Sequence, residues 1–313
     1  MARVLPTALV IGVLAATAAA FALTERAKLA LSPIYATQVT ALFSPACASP
    51  CRLGTPAATV SFKLRVAEQV TVWIQRGNEL VDTLAESKAF PRRRRLAFTW
   101  TGLTPAGTFV PDGAYRPYVK LERSHRTIAL PNRIVLDTKA PVIAVKHPVY
   151  PIISPDGDGH ADSVRIPYRL DKPAHAVLLV GQQRVVTTYR QPLRGTLVWD
   201  GKLGNPARAV PPGRYTLYVS AVDRAGNTAK PFPFAVVTVR YVSLGRSRLT
   251  VAPGRRFALR VSADAPHVRW LLHGRTGTAR PGTLRIRAPK TPGTYRLYVE
   301  AAGHAARATV VVG

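Results

Sequence analysis

The sequence predicts an all-β protein, a row of β-sandwiches preceded by one N-terminal apolar helix. Three observations carry this. After residue 38, apolar residues recur at every second position in short runs, as in Val70, Val72 and Ile74 or Tyr215, Leu217, Val219 and Ala221. Such alternation marks a strand with one face buried. Pro and Gly punctuate the runs every 8–12 residues or so, the rhythm of sandwich strands. One set of landmarks also occurs twice in the same order, the sign of a duplicated unit.

The N-terminal element comes first. Leu5 to Leu23 runs for 19 residues without a charge. At 1.5 Å per residue this is roughly 28 Å, close to the ~30 Å hydrocarbon core of a bilayer. Two readings stay open. Arg3, the apolar run to Ala16 and the small residues Ala18, Ala19 and Ala20 suit a cleaved signal peptide. Continuation through Phe21, Ala22 and Leu23 suits an uncleaved signal anchor. Residues 1–23 are assigned to this segment and 24–39 to a linker. The expected setting is the cell membrane, single-pass with extracytoplasmic domains, or secretion after cleavage.

Cys47 and Cys51 are the only cysteines. A zinc site would need a second pair or histidines at fixed spacing, and none follows. Outside the cell the pair would close a disulfide around one small loop, worth about 2 kcal/mol by loop-closure arithmetic.

The sandwiches follow as residues 40–138, 139–240 and 241–313. Phe43-Ser44-Pro45 opens the first unit and Ile153-Ser154-Pro155 the second. An alternating strand comes next, ending at Leu64 in the first unit and at Leu170 in the second, and the alternation of Val60, Phe62 and Leu64 is carried on by Val66. Trp100-Thr101-Gly102 corresponds to Trp199-Asp200-Gly201, and the Pro111 to Tyr115 segment to Pro211 through Tyr215. The second unit runs on into Asp223-Arg224-Ala225-Gly226-Asn227. The third is shorter, keeps Pro292-Gly293-Thr294-Tyr295 and has no Ser-Pro start. Trp100, Trp199, Tyr115 and Tyr215 are expected to fill the ~10 Å between two sheets.

These landmarks resemble the immunoglobulin-like domain of the flagellar hook-capping family, in which a Ser-Pro-(Asn/Asp)-Gly-Asp-Gly loop leads into a strand and an Asp-x-x-Gly-Asn turn ends one. The likeness covers about residues 40–138 and 148–240, and is closer in the second unit, which has both features. It implies tandem immunoglobulin-like sandwiches in an exported protein. No part of the chain resembles the rest of a hook-capping protein, so no flagellar role is implied, and fold does not supply function.

One cluster has the chemistry of a metal site. Asp156, Asp158, His160 and Asp162 lie in one Gly-rich loop, where three carboxylates and the His160 backbone oxygen would suit calcium. The EF-hand pattern is incomplete, with Ala161 and Pro167 where Gly and Glu would stand. The alternative is a turn whose carboxylates cap backbone amides. Calcium is the only cofactor suggested. The corresponding stretch of the first unit, Phe43 to Ala67, has no acid and carries the two cysteines instead.

Lys and Arg number 44 against 16 Asp and Glu, a net charge of +28. Arg92, Arg93, Arg94 and Arg95 form the densest run and are candidates for polyanion contact. The partners expected are anionic envelope polymers, lipid headgroups or an acidic protein. Nucleic acid is not expected, because export removes the chain from the genome and no nucleic-acid-binding signature accompanies the charge. No Gly-x-Ser-x-Gly, His-Glu-x-x-His, Ser-x-x-Lys or phosphate-cradling loop is present, and no catalytic residue is assigned. The reading is a non-enzymatic binding or structural protein of the cell envelope. The alternative is an accessory or substrate-presenting subunit of an envelope enzyme.

Overall fold

β-Branched and aromatic residues at alternate positions fold this chain into strands, because one face of each can be buried while the other stays in water. The computed structural model describes residues 4–29, 31–47, 51, 53–104, 106–146 and 151–313. Arg3 and His147 lie outside the described residues. The chain divides into two compact units, residues 1–45 with 55–137, and 46–54 with 138–313.

In the first unit, a three-stranded antiparallel sheet joins Ile34–Val39, Ala58–Leu64 and Arg95–Trp100. The facing sheet runs Leu42–Phe43, Ile134–Leu136, Gly113–Leu121, Glu68–Arg76, Glu79–Phe90. Its first pair is parallel, Leu42 opposite Val135 and Phe43 opposite Leu136. Phe43, Val60, Phe62, Val72, Ile74, Trp100 and Tyr115 fill the space between the sheets. The stretch assigned to a linker, 24–39, is corrected here. The helix continues to Leu29, and Ile34–Val39 is an edge strand paired with Ala58–Leu64. The strand ends at Leu64 as expected, and Val66, which continued the alternation in sequence, lies past that end and is exposed.

The second unit repeats the arrangement twice. One sandwich pairs Ile143–Val145, Val164–Leu170 and Arg194–Trp199 against Ile152–Ile153, Phe232–Val239, Gly213–Asp223, Ala174–Val180 and Gln183–Thr187. The other pairs Ser243–Leu244, Arg256–Ser262 and Gly282–Arg287 against Arg248–Val251, His304–Val312, Gly293–Ala301, Val268–Leu272 and Arg275–Ala279. Each again starts its larger sheet with a parallel pair. Each sandwich has its own core. Tyr241 joins the two: it is buried, donates to the Val210 carbonyl at 3.2 Å, and stacks on His304 with ring centres 3.6 Å apart.

The repeated Pro–Gly–Tyr segment has a local reason. Tyr115, Tyr215 and Tyr295 each donate their hydroxyl to the carbonyl four residues back, at Pro111, Pro211 and Thr291. The ring closes the turn that feeds the strand, and in the first two sandwiches it packs edge-on against Trp100 or Trp199 at 4.9 and 5.6 Å. The core role expected of Trp100, Trp199 and Tyr115 is borne out by their near-complete burial, and Tyr215 packs against its core partly buried.

An N-terminal helix spans Val4–Leu29. Its described side chains, residues 9–22, are all exposed. Those 14 residues cover about 21 Å, and among the described residues no helix is long and apolar enough to cross a membrane.

Candidate functional site

The acidic loop follows the short strand Ile152–Ile153 and precedes Val164–Leu170, so a strand with buried core residues, Ile153 on one side and Val164 on the other, anchors each end. Asp162 reaches back across it, with Oδ1 accepting from Gly157 N–H and Oδ2 from Gly159 N–H, both at 2.7 Å. Asp158 Oδ1 accepts from His160 N–H at 2.8 Å, and Asp156 Oδ1 from Asp158 N–H at 3.3 Å. Ser154 N–H closes the base on the Ala161 carbonyl at 2.9 Å. The loop therefore has the capped-turn geometry. The same turns gather one ligand oxygen from each of Asp156, Asp158 and Asp162 within 4.8 Å of one another, the only such group among the described residues. His160 is exposed at the tip, its Nδ1 3.7 Å from Asp158.

The charges inside the loop differ in setting. Donation from the Gly157 and Gly159 amides holds the Asp162 carboxyl below the usual carboxylate range. Partial burial pushes Asp156 up, and the nearby Asp158, Asp264 and Asp162 carboxylates push the same way. Two buried acceptors lie beside this end of the sandwich. Among the described residues, Ser154, only 3% exposed, has no hydrogen-bond partner at Oγ, and neither carboxylate oxygen of Asp264 has one. Ser154, Ala161, Arg240 and Asp264 line one cleft.

The cysteines form the expected disulfide, with Cα atoms 5.6 Å apart. Its surroundings were not legible in the sequence. Residues 46–54 cluster with the second unit, where Cys47 Sγ lies 3.5 Å from the Gly226 carbonyl. The 223–227 turn beneath is held by a buried network. Asp223 Oδ1 accepts from Asn227 N–H at 2.9 Å, Oδ2 accepts from Asn227 Nδ2 at 3.0 Å, and Lys172 Nζ sits 2.6 Å from Oδ2. The Asp-x-x-Gly-Asn spelling signals this turn but says nothing of Lys172 or of the disulfide resting on it.

The arginine run divides. Arg92, Arg93 and Arg94 are exposed on a turn where Arg93 has φ 62°. Arg95 begins the strand Arg95–Trp100 and donates to Gln38 Oε1 at 3.0 Å and Ser61 Oγ at 3.1 Å. Three of the four candidates thus face solvent free of such bonds among the described residues, and the fourth ties the edge strand to its neighbour.

No family model matches this chain, and no curated protein matches its sequence. The hook-capping resemblance therefore rests on the residues quoted for it. Solved structures give likenesses in fold. A three-domain titin fragment, I67–I69, is 11% identical with a TM-score of 0.34, covering 90% of this chain and 99% of its own. The fibronectin(III)-like modules of Clostridium thermocellum CbhA are 15% identical with a TM-score of 0.34, covering 66% and 93%. The first three domains of the bacteriophage RB49 outer capsid protein Hoc are 12% identical with a TM-score of 0.29, covering 88% and 97%. The tandem immunoglobulin-like architecture follows from the strand orders above, and no activity follows from these likenesses.

Proposed function

We propose that the chain is an extracytoplasmic, non-enzymatic structural or binding module, three sandwiches displayed beyond an N-terminal membrane segment. The observation that carries this is the disulfide: Cys47 and Cys51 are bonded, and such bonds persist in oxidising compartments. The helix supports it, because Leu9, Val10, Ile11, Val13, Leu14 and Phe21 are exposed around its circumference, and a helix apolar on all sides belongs in lipid or in a protein interior. Counted from Leu5 to Leu23, the uncharged run regains the span length. Fractionation of the native host tests the reading. The protein is expected in the membrane fraction after a high-salt wash, with Cys47 and Cys51 resistant to alkylation until reduced. A cytosolic protein with two free thiols overturns it. Co-purification of a stoichiometric enzyme would replace the module reading by the accessory-subunit one.

Within this reading the acidic loop is the cation site. Three carboxylates within 4.8 Å repel one another, and a hard cation would offset that repulsion while taking oxygens from Asp156, Asp158 and Asp162. The buried, unpartnered Ser154 Oγ on the other side of Pro155 is a further oxygen at the loop's base. Calcium at about 100 times its Kd is expected to stabilise the second unit by about 2.7 kcal/mol. That raises its melting transition by roughly 5–10 °C, read by calorimetry on the full chain. Asp158→Ala abolishes the rise. Equal transitions in calcium and in chelator would leave a capped turn and no cation site.

A further inference from the structure

Residues 241–313 hold 13 Lys and Arg against two acids, Asp264 and Glu300. The three-stranded sheet of this sandwich arranges part of that charge. On Arg256–Ser262 and Gly282–Arg287 the side chains Phe257, Leu259, Val261, Leu284 and Ile286 point into the core. Alternation therefore sends Arg256, Arg260, Arg285 and Arg287 to the opposite face, where all four are exposed. The register sets Arg256 opposite Arg287, Ala258 opposite Arg285 and Arg260 opposite Thr283. Two like charges thus stand directly across from each other, an arrangement that disfavours the fold. Among the described residues none of the four makes an ion pair. The band continues at both ends. Gly245 N–H donates to the Arg260 carbonyl and brings exposed Arg246 alongside, and Ala288 N–H donates to the Arg255 carbonyl beside the Arg256–Arg287 pair.

We propose that this arginine face is a binding surface for a linear phosphodiester polymer. Three features choose this occupant. Neighbouring strands are about 4.8 Å apart and alternate residues about 6.7 Å, so the guanidinium groups form a flat row of closely spaced cations. All the cations are arginine, whose planar fork meets phosphate oxygens bidentately and keeps its charge at every physiological pH. The remaining outward positions of the two strands are Ala258, Ser262 and Thr283, so the face has no large apolar side chain to insert into a bilayer. A polymer laid along the band neutralises the facing pair that no described residue neutralises. This deepens the extracytoplasmic reading by naming a partner, and it is tested on purified protein, so mislocalisation and loss of binding fail separately.

The test is titration of the full-length protein with synthetic poly(glycerol phosphate) at several salt concentrations. The variant R256Q/R260Q/R285Q/R287Q changes only exposed side chains and is expected to melt no lower than the parent. Its affinity falls by at least about tenfold, and the slope of log affinity against log salt shrinks by about 0.7 for each phosphate no longer neutralised. R92Q/R93Q/R94Q, which removes three charges from a turn, changes affinity less than about threefold. Equal losses from the two variants would mean a generic charge effect and overturn the site. Tight parent binding to phosphatidylglycerol vesicles, lost in the quadruple variant, with none to the polymer, would overturn the occupant in favour of a membrane. No measurable binding of the parent to the polymer would overturn the proposal as a whole.

Discussion

Gly226→Ala is expected to destabilise the second unit by about 3 kcal/mol and lower its melting transition by roughly 6–12 °C. Two costs add. Gly226 has φ +92°, where an L side chain is strained. A Cβ built there would also lie 2.2 Å from Cys47 Sγ and 2.8 Å from Cys51 Sγ, so the disulfide loop must lift from the turn. The costs can be separated in a double-mutant cycle. In a Cys47→Ala/Cys51→Ala background the clash with sulfur disappears, and the same substitution should cost only the backbone part, about 1 kcal/mol. Equal costs in both backgrounds would show that the loop does not bear on Gly226. Calorimetry of the four proteins decides it.

Asp223→Ala is expected to cost about 3 kcal/mol, because it removes one partner from a buried charged network. Asp223 is 3% exposed and accepts both Asn227 donors while facing Lys172. The alanine takes away the acceptor for the Asn227 amides and the counter-charge of Lys172 together. Lys172 keeps some contact with water, its side chain being 24% exposed, which holds the loss near the lower end of the range for buried pairs. Asp223→Asn keeps the Oδ1 acceptor for Asn227 N–H but puts an NH2 donor where Oδ2 accepts from Asn227 Nδ2 and faces Lys172, so its cost should lie close to that of alanine. Urea midpoints of the three proteins measure this. An alanine variant as stable as the parent would show that the turn is held by its backbone bonds alone.

The parts of the fold that were legible are those whose signal is local. Val70, Val72 and Ile74 are fully buried, as their alternation requires. The Trp and Tyr landmarks pack in the cores because they carry the largest apolar surfaces of their segments, beside smaller buried neighbours such as Leu96 and Leu197. Ile34–Val39 escaped for an equally local reason. Ala36 has φ 50° and the pairing register shifts between Tyr35 and Gln38, which breaks the two-residue period that reveals a strand. In the acidic loop the residues and the turn were both legible, since Asp and Gly at this spacing cap their own backbone. The unpartnered Ser154 and Asp264 beside it were not, because burial of a polar atom is a property of the packed chain.

By itself the sequence determined that this is an all-β chain with a duplicated unit, a third related sandwich, an N-terminal apolar helix and one disulfide. Each of these depends on residues within a few positions of one another, through side-chain period, turn chemistry or the lack of any other cysteine. Only the tertiary structure decided that the disulfide rests on Gly226, 179 residues from Cys47, and that Arg256 stands opposite Arg287. Cross-strand register and loop docking join positions far apart in the chain, and a register moved by one residue would turn the arginines of the shifted strand toward the core.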